Sequence, residues 1–427
     1  MSYLSTQPVK GFRDFYPDEM AIRNWLFGKM RTISRLYGYQ EYDGPVVESV
    51  HLYEAKSGEE LVKDQTFQMQ DKGGRQLALR PEMTPSLARM VAAKQQQLTK
   101  PVRWFTIGPR FRYEAPQKGR AREFYQWDID CLGYSSPLSD AEIIAITCHF
   151  FEEIGLTHNE IVIKINNRKL MDFKLSLLEI PLSKRPGVFR LIDKRDKMTH
   201  EKWRQYAHHI GLSDKQLSAL TKLLTDRDVA FESEELTEVF STLKDLGFGR
   251  FVEYDPSVVR GLEYYTGTVF EARDRAGKFR AILGGGRYDN LVELFSQQQF
   301  SGIGFACGDM VLMEILEAYG KVPDIRKRRP SPTDVLVTLF DEPMVRQGLA
   351  IAHFLRKAGI RTEIFPDYTT KLARQLKYAD AMKIPYAIII GPDEQKKSEA
   401  TIKKLADGSQ QTVKQKDIVR KMISLLV

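Results

Sequence analysis

The chain has 427 residues, 42% hydrophobic and 28% charged, with 64 Lys and Arg against 56 Asp and Glu and a formal charge of +8. That length exceeds what one core usually supports and predicts two or three domains, and the composition excludes a fibrous or disordered chain. Cys131, Cys148 and Cys307 stand far apart with no Cys-x-x-Cys pair, which argues against a disulfide scaffold or a cysteine zinc site and suits a reducing cytoplasm. The first residues carry no apolar core of signal-peptide type, and no 18-residue apolar run occurs, so no membrane span is expected. The basic balance, with a pI of about 9.1, favours polyanionic partners.

In chain order, "PDEMAIRNWLFGKMRTISRLYGY" starts a helix at Pro17 and Asp18 and spaces Ile22, Leu26 and Ile33 at helical intervals. It ends the helix near Gly38. "YQEYDGPVVE" reads as a short extended stretch entering a loop. "TFQMQDKGGRQLALRPE" is a hairpin pattern around Lys72-Gly73-Gly74, and "TPSLARMVAAK" is a helix. "VRWFTIGPRFRYE" and "EFYQWDIDCLGY" are strands joined by the basic loop "APQKGRAR". "SDAEIIAITCHFFEEIG" reads as a helix with Ser139 as N-cap and Glu142 three residues on, the spacing of a capping box. From about 168 to 247 the pattern is helical, charged and poor in strands, as in an insertion. Strands resume at "FVEYDP", "RGLEYYTGTVFEA" and "KFRAILGGGRYDNL", and the helix "GDMVLMEILEAYG" closes this part. "KVPDIRKRRPSP" reads as a linker. Strand and helix patterns then alternate through "DVLVTLF", "VRQGLAIAHFLRKAG", "RTEIFP", "KLARQLKYADAMK" and "YAIIIG", which predicts a small α/β domain. Residues 331–427 hold 16 Lys and Arg against 11 Asp and Glu.

The densest chemistry lies in "RWFTIGPRFRYEAPQKGRAREFYQWDID". The two-residue strand period puts Arg112 with Glu114, and Gln126 with Asp128 and Asp130, on shared faces. Lys118, Arg120 and Arg122 sit on the intervening loop, where cations can meet a phosphate backbone. Such a face is either a solvated surface of ion pairs or a polar pocket for a phosphorylated nucleotide and an amine-bearing substrate. Arg260, just before Tyr264 and Tyr265, raises the same choice between an ion pair and a ligand contact.

"FRYE", the basic loop and "RAREFYQWD" resemble motif 2 of class II aminoacyl-tRNA synthetases. "GFRDFYPDEM" with "GYQEYDGPVVE", "LRPEMT", "RGLEYYTGTVFE" and "GGGRYDNL" resemble the histidyl-tRNA synthetase family in particular, in the same order and over nearly the whole chain. The resemblance implies an α+β fold. Residues 1–325 would form a class II antiparallel sheet flanked by helices, with the helical insertion at about 168–247. A linker would span 326–331 and an α/β anticodon-binding domain 332–427. It further implies a cytoplasmic homodimer joined through the helix and strand near 20–50. The substrates would be ATP with Mg2+, L-histidine and the histidine tRNA, and no membrane or protein metal site would be involved.

The resemblance also carries residue roles. Arg112 would contact the α-phosphate and the histidine carboxylate, and Arg260 would approach the phosphate from the other side. Glu82, Met83 and Thr84 would hold the α-amino group with Gln126 nearby. Asp130 and Tyr265 would address the imidazole, with Tyr264 supporting the wall. Phe124 would stack on adenine, Glu114 would accept from its amine, and Arg120 would contact ATP. Gln117, Lys118, Arg120 and Arg122 would meet the tRNA acceptor end. Taken alone, "RPE" also fits a helix N-terminal turn, and Phe124, Tyr264 and Tyr265 fit ordinary packing.

One position departs from the pattern. Class II motif 3 carries an arginine stacked on adenine, and here Val311 takes its place in "GIGFACGDMVLMEIL". Another cation substitutes, ATP binds more weakly, or the site is incompetent; substitution is the expectation, because the other matched positions are filled. A synthetase-like regulatory subunit of ATP phosphoribosyltransferase is the alternative function, with a threonyl or prolyl enzyme behind it. His208-His209 lacks a Cys or Asp partner at ligand spacing. The cations at 326–329 read as a solvated linker or a tRNA contact.

Overall fold

The computed structural model describes residues 5–54, 65–259, 265–290, 295, 300–324 and 331–426. They fall into two units, one ending at Val322 and one beginning at Pro323.

The first unit opens with α1 (Pro17–Leu36), β1 (Gln40–Glu41), β2 (Val47–Ser49), α2 (Val50–Glu54), β3 (Gln68–Gln70), β4 (Gln76–Leu79) and α3 (Thr84–Lys94). There follow β5 (Val102–Phe111), β6 (Glu123–Leu132), α4 (Pro137–Glu153) and β7 (Ile161–Asn167). A helical stretch comes next: α5 (Arg168–Leu177), α6 (Arg185–Asp193), α7 (His200–His209), α8 (Asp214–Leu223) and α9 (Glu234–Asp245). The unit finishes with β8 (Val252–Tyr254), β9 (Thr268–Asp274), β10 (Leu283–Tyr288), β11 (Gly302–Gly308) and α10 (Asp309–Ala318).

Eight strands form one sheet in the order β1-β5-β6-β11-β10-β9-β7-β8. The strands from β5 to β7 pair antiparallel, and β1 and β8 join the edges in parallel. The expected antiparallel sheet flanked by helices is therefore the architecture of this unit. A separate small sheet, β2-β4-β3, contains the expected hairpin.

Strand alternation divides the large sheet into two faces. Trp127, Ile129 and Cys131 of β6 point into a core with Leu26, Met30 and Ile33 of α1, Ile143 and Phe150 of α4, and Leu312 and Ile315 of α10. Fully burying such side chains contributes about 1.5–3 kcal/mol each. The register is thereby fixed, because a one-residue slip would drive Asp128 into the core.

The start of α4 differs from expectation. Ser136, not Ser139, is the N-cap, and its hydroxyl accepts from Leu138 N at 3.2 Å. Pro137 takes the first helical position, for which its missing N–H suits it. Ser139 Oγ donates instead to Ser136 O at 2.7 Å, and Glu142 pairs with Arg103 at 2.7 Å. Buried Arg287 of β10 closes this corner on Asp140 and on Ser139 Oγ, the latter at 2.8 Å.

The helical stretch divides in its packing. Met171, Leu175, Val188, Leu191, Trp203, Leu217 and Leu220 form their own core, which also takes in Val259. Leu236, Val239 and Leu243 of α9 join the core beneath the sheet. His208 does have a carboxylate neighbour, Asp214 at 3.4 Å, but in an exposed ion pair shared with Arg204.

The second unit contains β12 (Val335–Val337), α11 (Glu342–Lys357), β13 (Thr362–Ile364), α12 (Leu372–Ala381), β14 (Tyr386–Ile389), α13 (Pro392–Lys396), β15 (Glu399–Lys404), β16 (Gln410–Lys414) and α14 (Ile418–Leu426). Its sheet runs β13-β12-β14-β15-β16, with the first three strands parallel and the last two antiparallel. The alternating patterns read from the sequence are the parallel part. The cations at 326–329 lie outside the described residues.

Gly285 sits on the core face of β10, where an added Cβ would lie 2.6 Å from Phe270 Cζ. Overpacking of this kind costs about 1–3 kcal/mol. Gly285→Ala is expected to lower the urea midpoint of the folded protein accordingly. An unchanged midpoint would contradict the packing of this face.

Candidate active site

The other face of the sheet is polar. Phe124, Gln126, Asp128 and Asp130 share one side of β6, and on β11 Gly308, Ala306 and Gly304 stand opposite the last three. On β10, Gly284 and Gly286 stand opposite Ala306 and Gly304. Gly284, Ala306 and Gly308 thus leave part of the floor open to a ligand, and Gly286 and Gly304 make room for neighbouring side chains. A Cβ at Gly304 would come within 2.5 Å of Ile129 O and 3.0 Å of Asp130 Cγ, and one at Gly286 within 2.8 Å of the Tyr265 ring. A cavity of about 870 Å³ lies on this face, and Arg112, Glu114, Arg120, Phe124, Gln126 and Val311 line it.

Its charges are set by groups beneath it. Arg110 pairs with Asp128 at 2.7 Å, their side chains 0% and 7% exposed. Fully buried Arg80 pairs with Asp43 at 2.6 Å and donates to Pro109 O and Gly44 O at 3.0 and 2.8 Å. Gly108 leaves room for both guanidiniums, since a Cβ there would lie 2.7 Å from Arg80 Nη2 and 3.4 Å from Arg110 Nη1. Asp130 accepts from the Tyr288 hydroxyl. Burial pushes its carboxyl up to about 8; the Tyr288 hydrogen bond opposes this and the Asp128 charge adds to it. Burial raises the Asp128 carboxyl too, with Arg110 opposing.

The mouth of the cavity is held from several directions. Arg112 and Glu114 lie just beyond β5 rather than on it, because the strand ends at Phe111. Arg112 nevertheless continues the ladder, its N–H bonding Arg122 O at 2.9 Å. Its Nε donates to Pro81 O at 3.0 Å, which ties "RPEMT" to the strand end, and its guanidinium lies 5.3 Å from the Phe124 ring centroid. Glu82 and Met83 are buried, and Thr84 begins α3. The N-cap of α3 is Met83, with no side-chain cap, so capping does not account for Glu82. Gln126 Oε1 has no hydrogen-bond partner among the described residues.

The basic loop folds back over this mouth. Gln117 and Arg120 close its tip with paired backbone hydrogen bonds of 3.0 and 2.9 Å, and Arg120 pairs with Glu114 at 2.6 Å. Lys118 Nζ lies 5.9 Å from the Phe279 ring centroid. Arg122 is placed differently: its guanidinium sits 4.0 Å over the Tyr113 ring, and its N–H bonds Gly11 O at 2.8 Å. Tyr265 is buried beside Gly286. Arg260 and Tyr264 lie outside the described residues.

Sequence reasoning missed Tyr288, Arg80, Arg110 and the Arg13–Asp309 pair. Asp309 joins Arg13 at 2.9 Å and accepts from Tyr125 N at 3.0 Å, which fixes the start of α10 to β6. The two-residue period from Arg112 back to Arg110, and from Gly286 on to Tyr288, was a usable signal for two of these. The carboxylates around the cavity are matched by cations: Glu114 by Arg120, Glu271 by Arg273, Asp309 by Arg13 and Asp193 by Lys197. The described residues contain no group of three or more His, Cys, Asp or Glu placed to hold a metal ion.

A family model described as histidyl-tRNA synthetase matches residues 11–310, and one described as an anticodon binding domain matches residues 334–425. The histidine–tRNA ligase of Leptospira biflexa is 37% identical over 431 residues, with 98% of each chain covered. The chloroplastic/mitochondrial histidine–tRNA ligase of Arabidopsis thaliana is 35% identical, over 97% of this chain and 86% of its own. The crystal structure of histidyl-tRNA synthetase from Nostoc sp. PCC 7120 superposes with a TM-score of 0.77 at 25% identity, covering 99% of this chain and 100% of that one. Coverage by full-length ligases, anticodon-binding region included, does not favour the regulatory-subunit alternative.

Asp130 makes a pH prediction. Its ordinary pKa is 3.8 and its folded value is about 8, so between these the unfolded chain ionises while the folded one resists. Folding stability from this group is complete below pH 4 and falls as pH rises towards 8, by at most about 1.4 kcal/mol per unit. Asp130→Asn is expected to flatten that fall in denaturation midpoints measured from pH 4 to 8. Parallel profiles for the two proteins would refute the buried, protonated carboxyl.

Proposed function

The chain belongs to the histidyl-tRNA synthetase family, and from that premise we propose how its cavity performs the reaction. The enzyme is an aminoacyl-tRNA ligase that activates L-histidine with ATP and joins histidine to the 3′ end of its tRNA. In the first step a histidine carboxylate oxygen attacks the α-phosphorus, and pyrophosphate leaves. In the second a ribose hydroxyl of the tRNA attacks the acyl carbon, and AMP leaves. Neither step needs a protein nucleophile; positioning and charge stabilisation carry the catalysis.

The residue roles follow from chemistry and placement. Arg112 holds the α-phosphate and the histidine carboxylate, with a fork that matches both and a charge that neutral pH does not remove. Arg260 takes the opposite side of the phosphate, an assignment that rests on its sequence motif. Glu82, Met83 and Thr84, with Gln126, receive the ammonium group. Asp130, backed by Tyr288, and Tyr265 meet the imidazole nitrogens, with Tyr264 as wall. Polar groups paired to a ring reject analogues that lack its nitrogens. Phe124 takes the base, Glu114 its amine, and Arg120 shares itself between Glu114 and the nucleotide. Mg2+ enters with the ATP phosphates rather than in a protein site.

Gln117, Lys118 and Arg120 are the first contacts for the acceptor end; Arg122 reaches it only by leaving Tyr113. The second unit reads the anticodon, whose single-stranded bases can be splayed and stacked. The chain works as a homodimer joined through α1 and the small sheet. There Val46, Val47 and Met69 are 38–40% exposed, while Leu26, Met30 and Ile33 of α1 serve the chain's own core. It acts in the cytoplasm, which suits its three free, buried cysteines. Among the described residues no helix is long and apolar enough to cross a membrane.

The observation that carries this reading is the single glycine-floored face that joins an imidazole-suited pair, Asp130 and Tyr288, to a phosphate-suited Arg112. Exchange of labelled pyrophosphate into ATP tests it. Wild-type protein is expected to catalyse exchange with histidine and no other amino acid. Arg112→Ala should slow it at least about 100-fold, as loss of a transition-state donor does elsewhere. Folded wild-type protein without histidine-dependent exchange would overturn the reading.

A further inference from the structure

We infer that Phe279 supplies the second aromatic face for the nucleobase, in place of a cation at position 311. This rests on the reading of the cavity as an ATP site. Phe124 and Phe279 are the two aromatic side chains among the lining residues. The register arranges them around Val311. Gln126 lies opposite Gly308 and Cys307 opposite Leu283, so the start of α10 runs between the N-terminal end of β6 and the segment leading into β10. Val311 lines the cavity there, and a Cβ at Gly119 would lie 3.2 Å from its Cγ2. That wall is closely covered by the loop tip, where the same Cβ would also lie 3.5 Å from Glu314 Oε2, and position 311 carries no cation to cover a base.

The Phe279 ring is well placed for that task. It is half-buried, packing against the core without being enclosed by it. Its turn is closed by the buried Asp274 carboxylate, which accepts from Lys278 N and Phe279 N at 2.9 Å each. A ring held on a closed turn loses little freedom on binding. Lys118 approaches the same ring from the basic loop, so loop and turn meet at the cavity. Stacking tolerates any base, because every base has a π-face. Phe279 therefore adds affinity for the nucleotide and leaves base identity to Glu114.

Pyrophosphate exchange kinetics with Phe279→Leu and Phe279→Trp test this. Leucine keeps apolar bulk for the core and removes the flat ring, whereas tryptophan keeps a ring. The expected result is a KM for ATP raised about tenfold in Phe279→Leu, in the range that base–aromatic stacking supports. The KM for histidine should stay at the wild-type value, and Phe279→Trp should keep ATP binding close to wild type. An unchanged KM for ATP in Phe279→Leu would overturn the inference, and so would equal rises in both KM values, which mark a packing defect. Wild-type protein without histidine-dependent exchange would instead overturn the ligase reading beneath it.

Discussion

Two buried guanidiniums set the charge of the sheet's polar face. Arg110 neutralises Asp128 with both side chains almost wholly excluded from water, and Arg80 ties the neighbouring loop to Asp43, Gly44 and Pro109. Removing ions from water costs several kcal/mol each, and breaking such a pair by deleting one partner typically costs 3–5 kcal/mol. Burial raises the Asp130 carboxyl strongly, the Asp128 charge adds to the rise, and the Tyr288 hydroxyl that it accepts from opposes it. A carboxyl close to its titration point can accept from a ring N–H as an anion or donate to a ring nitrogen as an acid. An imidazole presents both kinds of nitrogen.

The sheet shapes the surroundings of that group through what its strands omit. Gly284 and Gly308 line the cavity, while Gly286 and Gly304 make room for the Tyr265 ring and the Asp130 carboxyl packed against them. Arg112 is fixed at the cavity mouth through Pro81 O and Arg122 O. Asp309 brings the start of α10 against β6 and Arg13. The Glu114–Arg120 pair folds the basic loop back on the strand end, and Arg120 is the more exposed partner.

Much of this was legible in the sequence where a local rule governs. The period of two along β6 separated Gln126, Asp128 and Asp130 from Trp127, Ile129 and Cys131, and the glycine pair at 73–74 marked its hairpin. The cap of α4 was misread because Ser136 and Ser139 both precede acceptable helix starts, and Pro137 decides between them. Arg112 and Glu114 were assigned to a strand that in fact ends at Phe111. The hairpin β15–β16 went unread because β16 is mostly exposed and polar. Tyr288 with Asp130, and Arg287 with Asp140, are tertiary contacts between residues more than 140 apart in sequence. No local pattern encodes them; the resemblance to a known family supplied roles for residues whose neighbours the sequence alone does not show.

The most direct test of the central claim is a crystal structure of the protein with a non-hydrolysable analogue of histidyl-adenylate. The account predicts an imidazole nitrogen within hydrogen-bond distance of the Asp130 carboxyl, the phosphate mimic on Arg112, and the base stacked on Phe124 above the glycine floor. An analogue bound with its imidazole directed away from Asp130, or away from this face of the sheet, would contradict it.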